Sequence, residues 1–188
     1  VLPHQFINLA ETIREYVVEV KGLRDELAAR AVETNRMLDD GVYAATNDPR
    51  APLRPPVRAP VVPHVNFAPL ENAVDAFTQA AAWYERSLGA AMRQLPDVDR
   101  LTRVNAMLRE TERAFTSADG LVGRPWFKHL LYAPGLYTGY GVKTLPGVRE
   151  SIEQQQWELV GREVTRLAQA IERAATQMLP YYTIMRLP

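Results

Sequence analysis

The chain has no cysteine among its 188 residues. Disulfide staples, a thiol nucleophile and a Cys-ligated zinc are thereby excluded, although a domain of this length buries a core that needs no staple. Histidine is scarce, at three residues. Neither a His-Glu-x-x-His nor a Glu-x-x-His run occurs, so the spacing that sets two metal ligands on one helix face is missing. His4, His64 and His129 each stand without a second His three or four residues on, and each reads as a structural, hydrogen-bonded residue rather than a ligand. A Gly-x-Ser-x-Gly elbow, a Walker loop, a dinucleotide fingerprint and an Asn-x-Ser/Thr acceptor are all absent. An excess of one charge is lacking too, because 22 Lys+Arg balance 22 Asp+Glu. With no basic field, nucleic acid is not an expected partner. No apolar run approaches the ~20 residues of a membrane span, so this segment is expected to make no membrane contact. The chain opens on Val1 without an initiator Met, a charged n-region or an apolar h-region, and it reads as a piece of a longer protein.

What remains is ordinary globular material, 47% hydrophobic and 23% charged, with the length of a single domain spanning 1–188. The 14 Pro and 10 Gly are clustered, and between the clusters lie long stretches with helical periodicity. From about His4 to Asp40, residues Phe6, Leu9, Ile13, Tyr16, Val20, Leu23 and Leu27 fall at alternating spacings of three and four, one stripe of a helix, and Gly41 is a plausible stop. A second helix is expected from Ala68 to Leu95, carried by Phe67, Leu70, Val74, Phe77, Ala81, Tyr84, Leu88, Ala91 and Leu95, with Pro69 in its first turn and Pro96 ending it. A third runs from Asp97 to Phe115 on Leu101, Val104, Leu108 and Phe115, with Asp97 or Asp99 suiting its N-terminus. A fourth segment begins near Pro146. A short helix over Val148–Gln156 and a break should precede a regular stretch on Trp157, Val160, Val164, Leu167, Ile171, Ala174 and Met178, and Pro180 should end it, leaving 180–188 as a tail. Sustained two-residue alternation is missing, so the expected class is all-α, an antiparallel bundle like a four-helix bundle with little or no sheet. A stripe this long also fits a coiled coil between chains, but four such helices in one chain can satisfy each other.

Two irregular zones interrupt the helices. Residues 44–65 hold six Pro between Pro49 and Pro63 and cannot be helical. They read as an extended or mobile surface insertion. Pro52–Pro55 and Pro60–Pro63 also fit the weak P-x-x-P pattern of a partner ligand. Residues 116–146 are a long connection between the third and fourth helices. Connections beyond ~12–15 residues are uncommon inside a compact domain and are usually functional. Trp126, Phe127, Leu130, Leu131, Tyr132, Tyr137 and Tyr140 look too apolar to be left in water, so an ordered, packed loop is expected, with the Gly135–Gly141 tip suited to close approach by another body. Acidic residues such as Asp25, Glu26, Glu33, Asp39 and Asp40 read as solvated helix faces, and Arg109, Glu110, Glu112 and Arg113 as weak surface ion pairs. The residues alone thus describe a bundle presenting one ordered aromatic loop, an interaction or substrate-lining module without a catalytic set.

The loop also carries a resemblance. Glu112-Arg113-Ala114-Phe115, Gly120-Leu121, Arg124-Pro125-Trp126-Phe127-Lys128-His129, Tyr132-Ala133-Pro134, Tyr140 and Pro146-Gly147 occur in the order found in the helical C-terminal domain of the glutamate carboxypeptidase II (prostate-specific membrane antigen) family. The chain resembles that transferrin receptor-like dimerisation domain over nearly its whole length, with Leu2-Pro3 leading into the first helix. The Pro-rich insertion and the tail after Pro180 are the parts left out. The resemblance implies a mostly helical domain that is not an enzyme alone, with no cofactor of its own. It follows a zinc-dependent carboxypeptidase or aminopeptidase domain that holds the zinc ions and the catalytic Glu. Implied partners are that peptidase domain in the same chain and a homodimer mate, and the implied parent is a type II membrane protein of the cell surface or a vacuole. The domain would line one wall of the substrate pocket. In glutamate-specific members a Lys-Tyr pair contacts the terminal glutamate. Here Gly139-Tyr140 stands at the pair, with Gly141 after it, so Tyr140 is kept and the Lys is not, and Lys143 is the alternative cation. Glutamate specificity is therefore not carried over. A reading in which Tyr140 only packs on Tyr137 and Trp126 stays open, as does a parent that is a non-catalytic transferrin receptor-like protein.

Overall fold

The computed structural model describes residues 5–52, 54–91, 93 and 97–185. His4, Leu2-Pro3, Leu95 and Pro96 lie outside the described residues. Six helices are found among these residues: α1 (Phe6–Asp39), α2 (Val42–Ala45), α3 (Ala68–Ala91), α4 (Val98–Ala114), α5 (Pro146–Glu153) and α6 (Trp157–Met185). A single small sheet joins them, built from β1 (Tyr132–Pro134) and β2 (Val142–Thr144). The all-α, bundle-like class expected from periodicity is the one observed.

The four long helices form where the apolar stripes lie. α3 and α6 are the central pair, with α1 against α3 and α4 against α6. The stripe positions Leu70, Val74, Phe77, Ala81 and Tyr84 of α3 are buried, as are Val160, Val164, Leu167, Ile171, Ala174 and Met178 of α6. Asn66 accepts a hydrogen bond from the Ala68 amide at 3.0 Å and starts α3, and Asp97 accepts from the Arg100 amide at 2.8 Å and caps α4. Gly41 follows α1 with φ of 70°, the left-handed geometry that glycine adopts without strain. An aromatic chain crosses the core. Phe115 meets Phe77 edge-on at 5.7 Å, Phe77 meets Phe6 at 6.4 Å, Phe6 meets Tyr84 at 4.9 Å, and Tyr84 lies 4.4 Å from Tyr181. It ties α4, α3, α1 and α6 together.

Pro180 does not end the last helix, and 180–185 is not a tail. α6 continues through Pro180 to Met185. The proline removes one amide donor, but Tyr181 is buried against Tyr84, and that packing keeps the last turns helical despite the lost bond. The expected break before Trp157 is found. α5 ends at Glu153, and Gln155 turns the chain with φ of 56°.

Ala44 and Ala45, expected to be non-helical, close α2 instead; residues 46–52 turn the chain, residues 54–64 carry neither helix nor strand, and these residues are held rather than loose. α1 buries only Phe6, Ala10, Ile13, Val17 and Val20. Its later turns project past the core, and the Pro-rich segment runs back along them. Asn35 exchanges two hydrogen bonds with the backbone of Ala59, each of 2.9 Å. Arg24 donates to the Pro63 carbonyl at 2.7 Å and 3.1 Å, and Arg58 pairs with Asp39. Val65 then enters the core. Lys21 of α1 pairs with Glu71 at the start of α3, so the return path must cover the rise from Lys21 to Asp39, ~27 Å at about 1.5 Å per residue. An extended chain needs at least ~8 residues for that. A Gly/Ser linker of ~12 residues in place of 46–63 should therefore shift stability by less than ~2 kcal/mol in urea melts. A four-residue bridge should fray the end of α1 and lower helicity by circular dichroism. Equal behaviour of the two linkers would show that α1 does not set the path length.

Candidate functional site: the clamped aromatic hairpin

The long connection between α4 and α5 is not irregular throughout. It opens as a tight loop in which Phe115 and Thr116 lie antiparallel to Leu130 and His129, with the Leu130 amide donating to Phe115 O at 2.9 Å. Gly120 sits at the turn with φ of 67°, and a Cβ there would come within 2.1 Å of the Pro125 carbonyl oxygen, so only glycine fits. The chain then forms a hairpin. β1 pairs antiparallel with β2 in the register Tyr132 to Thr144, Ala133 to Lys143 and Pro134 to Val142, and Gly135–Gly141 is its tip. The Gly135 amide closes the tip by donating to Gly141 O at 2.8 Å.

Burial within this region is divided. Leu121, Leu130, Leu131, Ala133 and Leu145 join the core. The expectation that all the aromatics pack is not met: Trp126 is 69% exposed, Tyr137 84% and Tyr140 fully so. Within the strands Ala133 is buried while Tyr132 and Val142 face outward, and the tip projects beyond them. Tyr140 thus does not rest on Tyr137 and Trp126 as loop packing would require. Gly139, with φ of 61°, and Gly141 flank it. Val122, Trp126, Tyr132, Tyr137, Tyr140 and Val142 make this segment the main concentration of exposed large apolar side chains among the described residues.

A buried ion pair holds the hairpin. Arg124 and Glu150 have side chains only 3% and 11% exposed. Arg124 Nη2 donates to both carboxylate oxygens of Glu150, at 2.6 Å and 2.7 Å. Its Nη1 donates to the Pro134 carbonyl, and its guanidinium lies 5.5 Å from the Phe127 ring. Glu150 Oε1 also accepts from the Leu136 amide at 2.9 Å. Lys143 donates to Glu153 at 2.6 Å, its side chain passing over Gly135. Arg149 donates to the Thr144 carbonyl at 3.0 Å and reaches Glu19 of α1. Sequence reasoning missed Arg124 and Glu150 as partners, although Arg124 opens one of the motifs that carried the resemblance.

His129 lies under the hairpin, stacked on Tyr132 with centroids 4.0 Å apart. Its Nδ1 accepts from the Leu131 amide at 3.2 Å, so in the neutral ring the proton sits on Nε2, 3.4 Å from Glu112 Oε1. Burial lowers its pKa below the ordinary 6.5, with Glu112 opposing the shift. His64 is exposed. Among the described residues no group of three or more His, Asp or Glu is placed to hold a metal ion, and no helix is long and apolar enough to cross a membrane.

The comparisons with known proteins fall on the same ground. The family model for the transferrin receptor-like dimerisation domain matches residues 65–179. A probable glutamate carboxypeptidase of Arabidopsis thaliana is 39% identical over 83 residues, covering 40% of this chain and 12% of that protein. A probable glutamate carboxypeptidase of Arthroderma benhamiae is 32% identical over 123 residues, covering 65% of this chain and 16% of that protein. An inactive zinc metalloprotease of Schizosaccharomyces pombe is 34% identical over 74 residues, covering 39% of this chain and 9% of that protein. The matched stretch is thus a small part of much longer relatives. The family match begins where the Pro-rich return enters the core at Val65, runs through α3, α4 and the clamped hairpin, and closes at Leu179 on α6. The match covers more than half of the chain, and the chain belongs to the transferrin receptor-like dimerisation domain family.

Proposed function

We propose that this domain is the non-catalytic helical part of a glutamate carboxypeptidase-like zinc exopeptidase, where it contributes to the homodimer contact and supplies one wall of the substrate pocket. The observation that carries this reading is Tyr140, fully exposed at the tip of a hairpin whose base is fixed by a buried ion pair. An exposed phenol on a rigid support is pre-organised to meet another body. It donates a hydrogen bond to a substrate carboxylate, and such a charge-assisted bond contributes ~1.5–3 kcal/mol once desolvated. Gly139 and Gly141 add no side chains beside it, which leaves the backbone open to close approach. The zinc ions and their ligands are assigned to the peptidase domain of the parent, in keeping with the likeness to a protein named as a zinc metalloprotease. Lys143 is committed to Glu153, so it does not replace the missing Lys, and a terminal glutamate gains little from this wall over an uncharged residue.

The test is Tyr140→Phe in the full-length peptidase. The ring stays and only the hydroxyl goes, so kcat/KM should fall by about tenfold or more, chiefly through KM, with thermal stability unchanged. Unchanged kinetics would remove Tyr140 from substrate binding. A second reading, a non-catalytic parent in which the domain serves association alone, is favoured by the likeness to an inactive zinc metalloprotease. A complete set of zinc ligands in the peptidase domain of the parent decides for the first reading.

A further inference from the structure

We propose that Arg124 and Glu150 are positioning residues for the hairpin tip: the buried pair fixes the direction in which Gly135–Gly141 projects, and the other charges on α5 hold the rest of the hairpin to the same helix. Its consequence for substrate rests on the reading above, but the positioning itself does not.

The contacts converge on one point. Glu150 Oε1 accepts from the Leu136 amide at 2.9 Å, the first peptide beyond Gly135, and Arg124 Nη1 donates to the Pro134 carbonyl, the last of β1. The pair therefore grips the chain on both sides of the residue where it leaves the sheet. Neither group is needed to hold α5 on the bundle, because Pro146, Val148 and Ile152 already bury the apolar face of α5. Two further side chains of the same helix complete the support. Arg149 holds Thr144 at the base of β2, and Glu153 holds Lys143 one residue closer to the tip. Hairpins of two three-residue strands are marginal alone, so the tip keeps a fixed direction only while these contacts persist. A buried ion pair adds little to net stability compared with apolar side chains of similar size, and here its hydrogen bonds to the Pro134 carbonyl and the Leu136 amide fix the geometry of the tip.

That difference supplies the test. Arg124→Met combined with Glu150→Leu fills the same space without charge and leaves the Leu136 amide and the Pro134 carbonyl without their partners. In amide exchange on the 188-residue chain, the α3 and α6 core should keep its protection while the Gly135 and Leu136 amides exchange at least ~10-fold faster. Glu150→Gln keeps an oxygen for the Leu136 amide and for Arg124, and it should recover most of that protection; if the double variant does not fold, Glu150→Ala, which removes the acceptor of the Leu136 amide, is read against Glu150→Gln instead. Hairpin exchange equal to wild type in the double variant or in Glu150→Ala, or no slower in Glu150→Gln than in these, would overturn the proposal. In the full-length peptidase the double variant should raise KM about tenfold with a smaller change in kcat. Faster exchange with unaltered kinetics would support the positioning and refute the substrate-wall reading.

Discussion

Glu150→Ala should lower the stability of the chain by about 3–5 kcal/mol. The substitution leaves the Arg124 guanidinium, 3% exposed, without its counter-charge, and it leaves the Leu136 amide without an acceptor. The cost is that of an uncompensated buried charge and is larger than the net worth of the intact pair. For a domain of this size the melting temperature should fall on the order of 10 °C. Urea denaturation should show a lower midpoint at constant slope. Glu110→Ala is the control, because its pair with Arg113 is exposed, with side chains 54% and 72% accessible, and its loss should cost less than ~1 kcal/mol. Equal effects of the two substitutions would mean that the Arg124 charge finds water.

Phe77→Ala should be as damaging by a different route, at about 3–5 kcal/mol. Phe77 is fully buried on α3 and touches Phe6 of α1 and Phe115 after α4, both edge-on. Removing the ring opens a cavity between three helices that cannot close without moving one of them, and it removes two aromatic contacts as well. Val57→Ala in the Pro-rich return, 89% exposed, should change stability by no more than ~0.5 kcal/mol. A loss under ~1.5 kcal/mol for Phe77→Ala would show that the bundle collapses around the vacancy.

The four long helices were legible in the sequence because each exceeds the length over which a 3.6-residue period shows, and the stripe on α6 from Val160 to Met178 is buried at every position. Pro180 misled because a local rule about a missing donor lost to a tertiary contact, Tyr181 on Tyr84. The hairpin was not legible. Its strands are three residues each, too short for alternation to register, and β1 ends on a proline. What fixes it is the pairing of Arg124 with Glu150, 26 residues apart, and such a pair leaves no periodic trace. The exposure of Tyr137 and Tyr140 was hidden for a related reason, since composition says that aromatics prefer burial but not whether a neighbouring body is present to bury them. Motif order marked both Arg124 and Tyr140, which lie at the base and the tip of the same hairpin.

The most direct test of the central claim, that the hairpin tip faces the peptidase pocket, is a photocrosslink. A benzoylphenylalanine introduced at Tyr140 of the full-length protein should link to the peptidase domain, and an inhibitor occupying the substrate pocket should suppress the link. Crosslinks that go to a second copy of the helical domain, or that are indifferent to the inhibitor, would contradict it.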